Sequence, residues 1–170
     1  MRSFVSKREP RREPVDLNDI VREVARFVEA EAKGLKISLK LELAHRIPPI
    51  QGDTVQIEQV ILNLVRNGFE AMSGTDSTQR ELTMRTAPAD LDAVQVSISD
   101  LGRGLSAEAV DHLFDPFFTT KPTGMGMGLS ISRSIIEAHG GRLEALANAH
   151  VGMTFKFILP RINNEDAFKE

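Results

Sequence analysis

The chain has 170 residues, a formal net charge of −3 and no cysteine. This length suffices for one domain with a sizeable core, and the charge gives no footprint for nucleic-acid binding. The absence of cysteine excludes disulfides and cysteine-based metal sites. The chain contains no run of about eighteen apolar residues that would suggest a membrane span. No signal-peptide pattern follows the basic first residues. The composition therefore predicts a cytoplasmic protein and leaves its chemistry open.

The first part of the chain predicts a linker, a helix and a strand. Residues 1–14 are polar, basic and interrupted by prolines, which is typical of a linker, with a basic binding arm as the alternative. Asp16 precedes apolar residues at helical spacing and is a plausible N-cap of a helix that ends at Gly34. Residues 35–43 alternate between apolar and polar side chains, which predicts a strand with one buried face.

A second helix is predicted to begin after Asp53, with Gln56 three positions later as in a capping box. Asn63 and Asn67 are four residues apart on this helix and share one face, away from its apolar stripe. Asparagine is a poor helix former. The pair is therefore either two solvated or locally bonded amides or a polar rail that faces a ligand, and the residues alone leave both interpretations open.

The second half of the chain predicts strands and two further helices. The predicted strands are 81–87, 94–99, 142–147 and 153–159, and a loop containing Pro88 separates the first two. Ser106 is expected to cap a short helix that ends near Phe114. A longer helix follows the second glycine-rich turn and ends at Gly140–Gly141. Residues 161–170 are typical of a frayed tail. Helices packed on a largely antiparallel or mixed sheet predict a two-layer α/β sandwich.

Between Asp100 and Gly141 the chain contains five features in succession: an acid, a glycine turn, an aromatic cluster, a second glycine turn and a helix. The glycines of the two turns are expected where a backbone approaches a ligand or swings freely: Gly102, Gly104, Gly124 and Gly126. Gly128 opens the helix, whose free N–H groups suit an anion. Each glycine cluster alone is more often only a turn, but the order of the five features predicts a nucleotide-binding lid.

Four motifs in this order resemble the ATP-binding catalytic domain of bacterial sensor histidine kinases, in the superfamily that includes gyrase and Hsp90-type ATPases. The motifs are QVILNLVRNGFEAM (59–72, N box), DLGRG (100–104, G1 box), LFDPFFTTK (113–121, F box) and GMGMGL (124–129, G2 box). Residues 152–160 are similar to the closing strand of that family. The resemblance covers residues 15–160 and is strongest to oxygen- and nitrogen-responsive kinases. It implies a Bergerat-type fold: a mixed sheet of about five strands, helices on one face and a flexible ATP lid.

The resemblance also implies ligand contacts. Asp100 would accept a hydrogen bond from the exocyclic amine of adenine, and Thr154 would assist on the same edge. Asn67 would ligate Mg²⁺ through its amide oxygen, and Asn63 would face the same region. Lys121 would contact the γ-phosphate. The remaining ATP-binding residues implied by the glycine boxes are Gly102, Gly104, Gly124, Gly126, Gly128 and Leu129, with backbone N–H groups of the second box holding phosphates.

The resemblance favours phosphoryl transfer over hydrolysis. In the hydrolytic members of the superfamily a glutamate activates water one helical turn before the metal-binding asparagine, and here that position is Asn63, which cannot act as a general base. None of the four histidines is followed by an acid, as a phosphate-accepting histidine usually is. No catalytic residue is therefore assigned.

The expected protein is a monomeric fragment that binds Mg²⁺·ATP but does not phosphorylate itself. It would donate the γ-phosphoryl group to a histidine on a separate dimerisation domain, for relay to an aspartate of a response regulator. It would contact neither nucleic acid nor membrane. The alternative is a nucleotide-gated protein-docking module without phosphotransfer.

Overall fold

The computed structural model describes residues 9–76, 78–118 and 128–163. In chain order the elements are β1 (Glu13–Val15), α1 (Leu17–Gly34), β2 (Ser38–Glu42), β3 (Ile50–Gly52), α2 (Thr54–Ser73), β4 (Glu81–Ala89), β5 (Ala93–Asp100), α3 (Ala107–His112), α4 (Gly128–Ala138), β6 (Arg142–Ala147) and β7 (Met153–Pro160).

Five of the strands form one mixed sheet in the order β2-β4-β5-β7-β6. β2 and β4 are parallel, and the other neighbours are antiparallel. Along β5 the side chains of Val94, Val96 and Ile98 are buried, whereas the residues between them are only partly buried. This alternation fits a sheet whose apolar face is covered by helices α1, α2 and α4. The predicted two-layer sandwich with a mixed five-stranded sheet is confirmed.

The predicted helix ends are confirmed by their caps. The side chains of Asp16, Asp53 and Ser106 each accept a backbone N–H of the first turn of α1, α2 and α3. At the end of α4 the N–H of Gly140 donates to Glu137 O, and the N–H of Gly141 donates to Ile136 O. With φ +79° at Gly140, this is a Schellman ending.

The structure differs from the predicted elements in two places. Pro88 lies within β4 opposite Val94, not in a loop. Because β2 pairs with β4 only as far as Arg85, Pro88 has a strand on one side only, which is where a sheet tolerates proline. The second difference is the small sheet formed by β1 and β3, which places Glu13 and Pro14 of the predicted linker in a paired strand. Strands of three residues are too short to show the alternation of apolar and polar side chains that predicts a strand.

The start of the predicted tail is also held by backbone hydrogen bonds. The N–H of Arg161 donates to Asp92 O, and the N–H of Ile162 donates to Pro49 O. Within the described ranges, no helix combines the length and apolar character needed to cross a bilayer.

A buried polar junction around Asp53 joins the segment before β1, the start of α2 and the residue after α4. Its carboxylate accepts the N–H groups of Gln56 (3.1 Å) and Arg11 (2.8 Å). Its own N–H donates to His139 Nε2 at 3.0 Å, while His139 Nδ1 donates to Ile135 O at 2.7 Å. Both residues are at least 95% buried. His139 therefore has a structural role, since both ring nitrogens are engaged in fixing the end of α4.

We expect Asp53→Ala to lower the free energy of unfolding by about 2–3 kcal/mol, because it removes a buried N-cap and the acceptor of Arg11 together. Asp16→Ala is the matched control: it removes the exposed N-cap of α1 and should cost about 1 kcal/mol. Urea unfolding of both variants measures the difference. Equal losses would show that the junction adds nothing beyond an ordinary cap.

Candidate functional site

Asp100 is the last residue of β5 and is buried, with 3% of its surface exposed. Its Oδ1 accepts two backbone hydrogen bonds, from Gly102 N at 2.8 Å and from Met153 N at 3.3 Å. Among the described residues, no hydrogen bond reaches Oδ2. Burial raises the pKa of this carboxyl above its usual value, and the two backbone donors offset part of that effect. The site therefore holds one carboxylate oxygen firmly and offers the other as an acceptor.

Helix α2 lies directly against Asp100 because two glycines allow it. A Cβ on Gly68 would lie 2.5 Å from Leu82 Cδ1 and 3.7 Å from Asp100 Oδ2. A Cβ on Gly102 would lie 2.7 Å from Ala71 Cβ and 2.9 Å from Ala71 O. The close backbone approach at Gly102 is thus to helix α2, and a side chain at this position would prevent it.

The two asparagines of α2 lie on the side of the helix near Asp100 and α4. Asn67 is half-buried and immediately precedes Gly68, where an added Cβ would lie 3.4 Å from Asp100 Cβ. Asn63 is also half-buried, and its Nδ2 donates to Ser132 Oγ of α4 at 3.3 Å. Ser132 is fully buried. Asn63 therefore ties α2 to α4, so at least part of the predicted polar rail is a helix-to-helix contact.

The remaining glycine-box residues are placed only in part. Gly104 has φ +68°, and its neighbour across the turn is Gly152. Gly128 is the exposed first residue of α4, and Leu129 is half-buried against the core. Lys121, Gly124 and Gly126 lie outside the described residues.

The aromatic box divides between core and surface. Phe114 and Phe118 pack against the core, and the guanidinium of Arg133 lies 5.3 Å from the centre of the Phe114 ring. Phe117 has φ +67° and is 71% exposed. Phe114 and Phe118 therefore attach this segment to the domain.

Thr154 is not brought together with the carboxylate of Asp100. Its register partner on β5 is Ser99, and its hydroxyl lies 2.9 Å from Ser99 Oγ. Successive residues of a strand point to opposite faces, so Thr154 and Ser99 lie on the face away from α2. Met153 takes the position beside Asp100, through its N–H. The alternation of Met153, Phe155 and Phe157 as buried residues was the sequence signal for this placement.

A separate cleft of about 820 Å³ lies at the other end of β5. The turn at 90–93 and residues 140–142 line it. None of the predicted site residues lines this cleft, and the chemistry of the Asp100 site does not extend into it.

The Asp100 carboxylate suits a ligand group that donates a hydrogen bond. A carboxylate oxygen in a largely apolar surrounding selects a ligand that donates a hydrogen bond, since an acceptor there would be repelled. The amide oxygen of Asn67, one residue from the contact with Asp100, is a hard donor of the kind that Mg²⁺ takes beside water and phosphate oxygens. The residues present therefore fit both a purine with an amino group and a magnesium ion.

Comparison with known proteins identifies the family of the chain. Residues 52–163 match the family described as Histidine kinase-, DNA gyrase B-, and HSP90-like ATPase. The sensor protein FixL of Bradyrhizobium diazoefficiens is 44% identical over 160 residues, which cover 94% of this chain but 31% of FixL. The chain thus spans about a third of the length of that relative.

Two solved structures share the fold over nearly the whole chain. The nucleotide-free catalytic domain of histidine kinase ThkA has a TM-score of 0.79 at 32% identity, covering 89% of this chain and 96% of that chain. ThkA in complex with the response regulator protein TrrA has a TM-score of 0.77 at 29% identity, covering 94% and 44%. The chain belongs to the histidine kinase-, DNA gyrase B- and HSP90-like ATPase family, as the ATP-binding catalytic domain of a sensor histidine kinase.

Proposed function

We propose that Asp100 reads the adenine of ATP, that Asn67 holds Mg²⁺, and that the bound γ-phosphoryl group is donated to a histidine on a separate dimerisation domain. The observation that carries the proposal is the asymmetric carboxylate of Asp100. Two backbone donors occupy Oδ1, and Oδ2 accepts no hydrogen bond from the described part of the chain. An adenine amine supplies the missing donor.

The phosphate end of the nucleotide is assigned to α2 and to the start of α4. Asn67 would ligate Mg²⁺ through its amide oxygen, and the ion would neutralise phosphate charge. Gly128, Leu129 and the glycines before them would present backbone N–H groups to phosphate oxygens. Lys121 is proposed as a γ-phosphate contact because its sequence position lies in the segment that leads to α4.

Transfer to a protein is favoured over hydrolysis by the chemistry of Asn63. An amide has no basic lone pair with which to deprotonate water, and this amide donates its N–H to Ser132. The domain would act by positioning ATP and neutralising charge, since phosphoryl transfer requires little covalent chemistry from the protein. The histidine then passes the phosphoryl group to an aspartate of a response regulator, and the solved complex of ThkA with TrrA supports a partner of that class.

A nucleotide-gated docking module is the second candidate function. It would need the base-reading carboxylate and a responsive lid, but it would not need a metal ligand. The amide of Asn67 beside Gly68 and Asp100 favours the kinase. The two candidates predict different products when a histidine-bearing partner is supplied.

The experiment is phosphorylation in trans. The chain is incubated with γ-labelled ATP and Mg²⁺, alone and with the separately expressed dimerisation domain of its own sensor kinase. We expect acid-labile label on the histidine of the added domain and none on this chain alone. ATP-dependent association of the two proteins without label would favour the docking module. Label on this chain alone would contradict the prediction that it lacks an acceptor.

A further inference from the structure

Behind Asp100, on the open face of the sheet, three polar side chains form a closed ring of hydrogen bonds. Asn148 Nδ2 donates to Ser99 Oγ at 3.3 Å, and Thr154 Oγ1 donates to Asn148 Oδ1 at 2.6 Å. The Thr154 proton is thereby committed, so in the 2.9 Å contact between the hydroxyls Ser99 is the donor. Every member of the ring both donates and accepts.

Asn148 also reaches the backbone on either side of the site. Its Nδ2 also lies 3.1 Å from Asp100 O and 3.1 Å from Val151 O, so the two hydrogens of the amide are shared among these carbonyls and Ser99 Oγ. Carbonyl oxygens only accept, which fixes the orientation of the amide: the nitrogen faces them and the oxygen faces Thr154. The N–H of Asn148 closes the turn by donating to Gly152 O at 3.0 Å.

These bonds determine where the carboxylate of Asp100 sits. The turn from Asn148 to Gly152 leads directly into Met153, whose N–H donates to Asp100 Oδ1. The side chain of Asn148 therefore holds the backbone carbonyl of Asp100. The turn that Asn148 closes also places Met153 N, one of the two donors to the Asp100 carboxylate. The side chain is half-buried and lies on the face of the sheet away from the proposed nucleotide, so it acts only through Asp100.

We propose that Asn148, together with Ser99 and Thr154, is a positioning residue that sets the adenine selectivity of Asp100. This inference rests on the proposed role of Asp100 as the adenine reader. It gives Thr154 a function other than direct ligand contact: its hydroxyl orients the amide of Asn148. Guanine carries a hydrogen-bond acceptor at the position of the adenine amine. This acceptor would face the carboxylate of Asp100, so a well-positioned Asp100 discriminates ATP from GTP.

The test is calorimetric titration of the chain with ATP and with GTP in the presence of Mg²⁺. We expect Asn148→Ala to weaken ATP binding by about tenfold and to reduce the ratio of ATP to GTP affinity, because it removes the side-chain hydrogen bonds to Asp100 O and to Val151 O of the turn that leads to Met153. His150→Ala is the control, since His150 is an exposed residue of the same turn, and it should leave both affinities unchanged.

A double-mutant cycle separates positioning from general stability. If Asn148 acts through Asp100, Asn148→Ala should add no further loss of ATP affinity in an Asp100→Asn background. A loss of equal size in both backgrounds, or an unchanged ATP-to-GTP ratio, overturns the inference. Wild-type ATP affinity in Asp100→Asn alone instead overturns the proposed role of Asp100, which distinguishes the two failures.

A second pair of variants covers the case in which Asn148→Ala does not fold. Thr154→Val removes the hydroxyl that orients Asn148 at nearly constant volume, and Thr154→Ser retains it. We expect the valine variant to lose ATP affinity and selectivity and the serine variant to keep both. Equal behaviour of the two variants overturns the inference.

Discussion

Asp100→Asn is expected to weaken ATP binding by about tenfold or more while leaving the domain folded. Since Gly102 N and Met153 N both donate to Oδ1, the amide oxygen of the variant must take that place. Its NH₂ group then occupies the position of Oδ2 and meets the adenine amine donor to donor. Loss of a charge-assisted hydrogen bond costs roughly 1.5–3 kcal/mol.

Titration calorimetry with ATP and Mg²⁺ at neutral pH measures this loss. Asp92→Asn is a matched control, because Asp92 carries a side chain of the same type next to the opposite end of β5 and is exposed, paired with Arg161. It should bind ATP as the unmodified chain does. Equal binding by the Asp100 variant would mean that another residue recognises the base.

The same substitution has a pH signature in stability. Burial raises the pKa of Asp100 in the folded state, so folding favours the neutral carboxyl. The stability associated with this group is present below the unfolded pKa and is lost as pH rises through the raised folded pKa. In the pH range above the raised folded pKa, where the buried carboxyl is ionised, the full cost of burying its charge applies, and there Asp100→Asn should be at least as stable in urea as the unmodified chain. The ATP affinity of the unmodified chain should instead rise as pH rises through the folded pKa, because the ionised carboxylate is the acceptor. An Asp100→Asn variant that is less stable than the unmodified chain in this pH range would contradict this account.

Gly152→Ala is expected to have the largest effect on stability, a loss on the order of 3 kcal/mol or more. Gly152 has φ +85°, a region that side chains rarely adopt. An added Cβ would lie 2.0 Å from Asp100 O and 2.8 Å from Asp100 C. Both atoms belong to the backbone of the sheet, so the collision can be relieved only by moving the turn or the end of β5. We therefore expect ATP affinity to fall as well.

Gly140→Ala is the control that separates collision from backbone strain. Gly140 has a similar φ of +79°, but its added Cβ would meet only Pro160 Cγ, at an ordinary 3.6 Å. It should lose about 1 kcal/mol, the usual cost of placing alanine where φ is positive. Urea unfolding compares the two variants. Similar losses of unfolding free energy in the two variants would show that the backbone around Gly152 and Asp100 can shift at little cost.

The sequence by itself determined the helices and the five strands of the main sheet and their order along the chain, but not β1 and β3. Helix periodicity and capping residues such as Asp16, Asp53 and Ser106 act within one turn, so they can be read locally, and the confirmed helix starts follow from them. The four boxes determined the family for the same reason: each is a short run of consecutive residues. The face of the sheet on which Thr154 lies can also be predicted from the sequence, because apolar residues alternate with it along β7.

Only the tertiary structure decided which residues meet. Asp53 and His139 are 86 positions apart, and Asn148 reaches Asp100 from 48 positions away. No local pattern specifies such contacts, because they depend on how strands and helices are arranged after they have formed. The structure also shows that Gly102 lets α2 approach, a packing contact that the sequence did not predict. The sequence thus predicted that a carboxylate would stand at the end of β5, and the packing around it decided which of its oxygens a ligand can use.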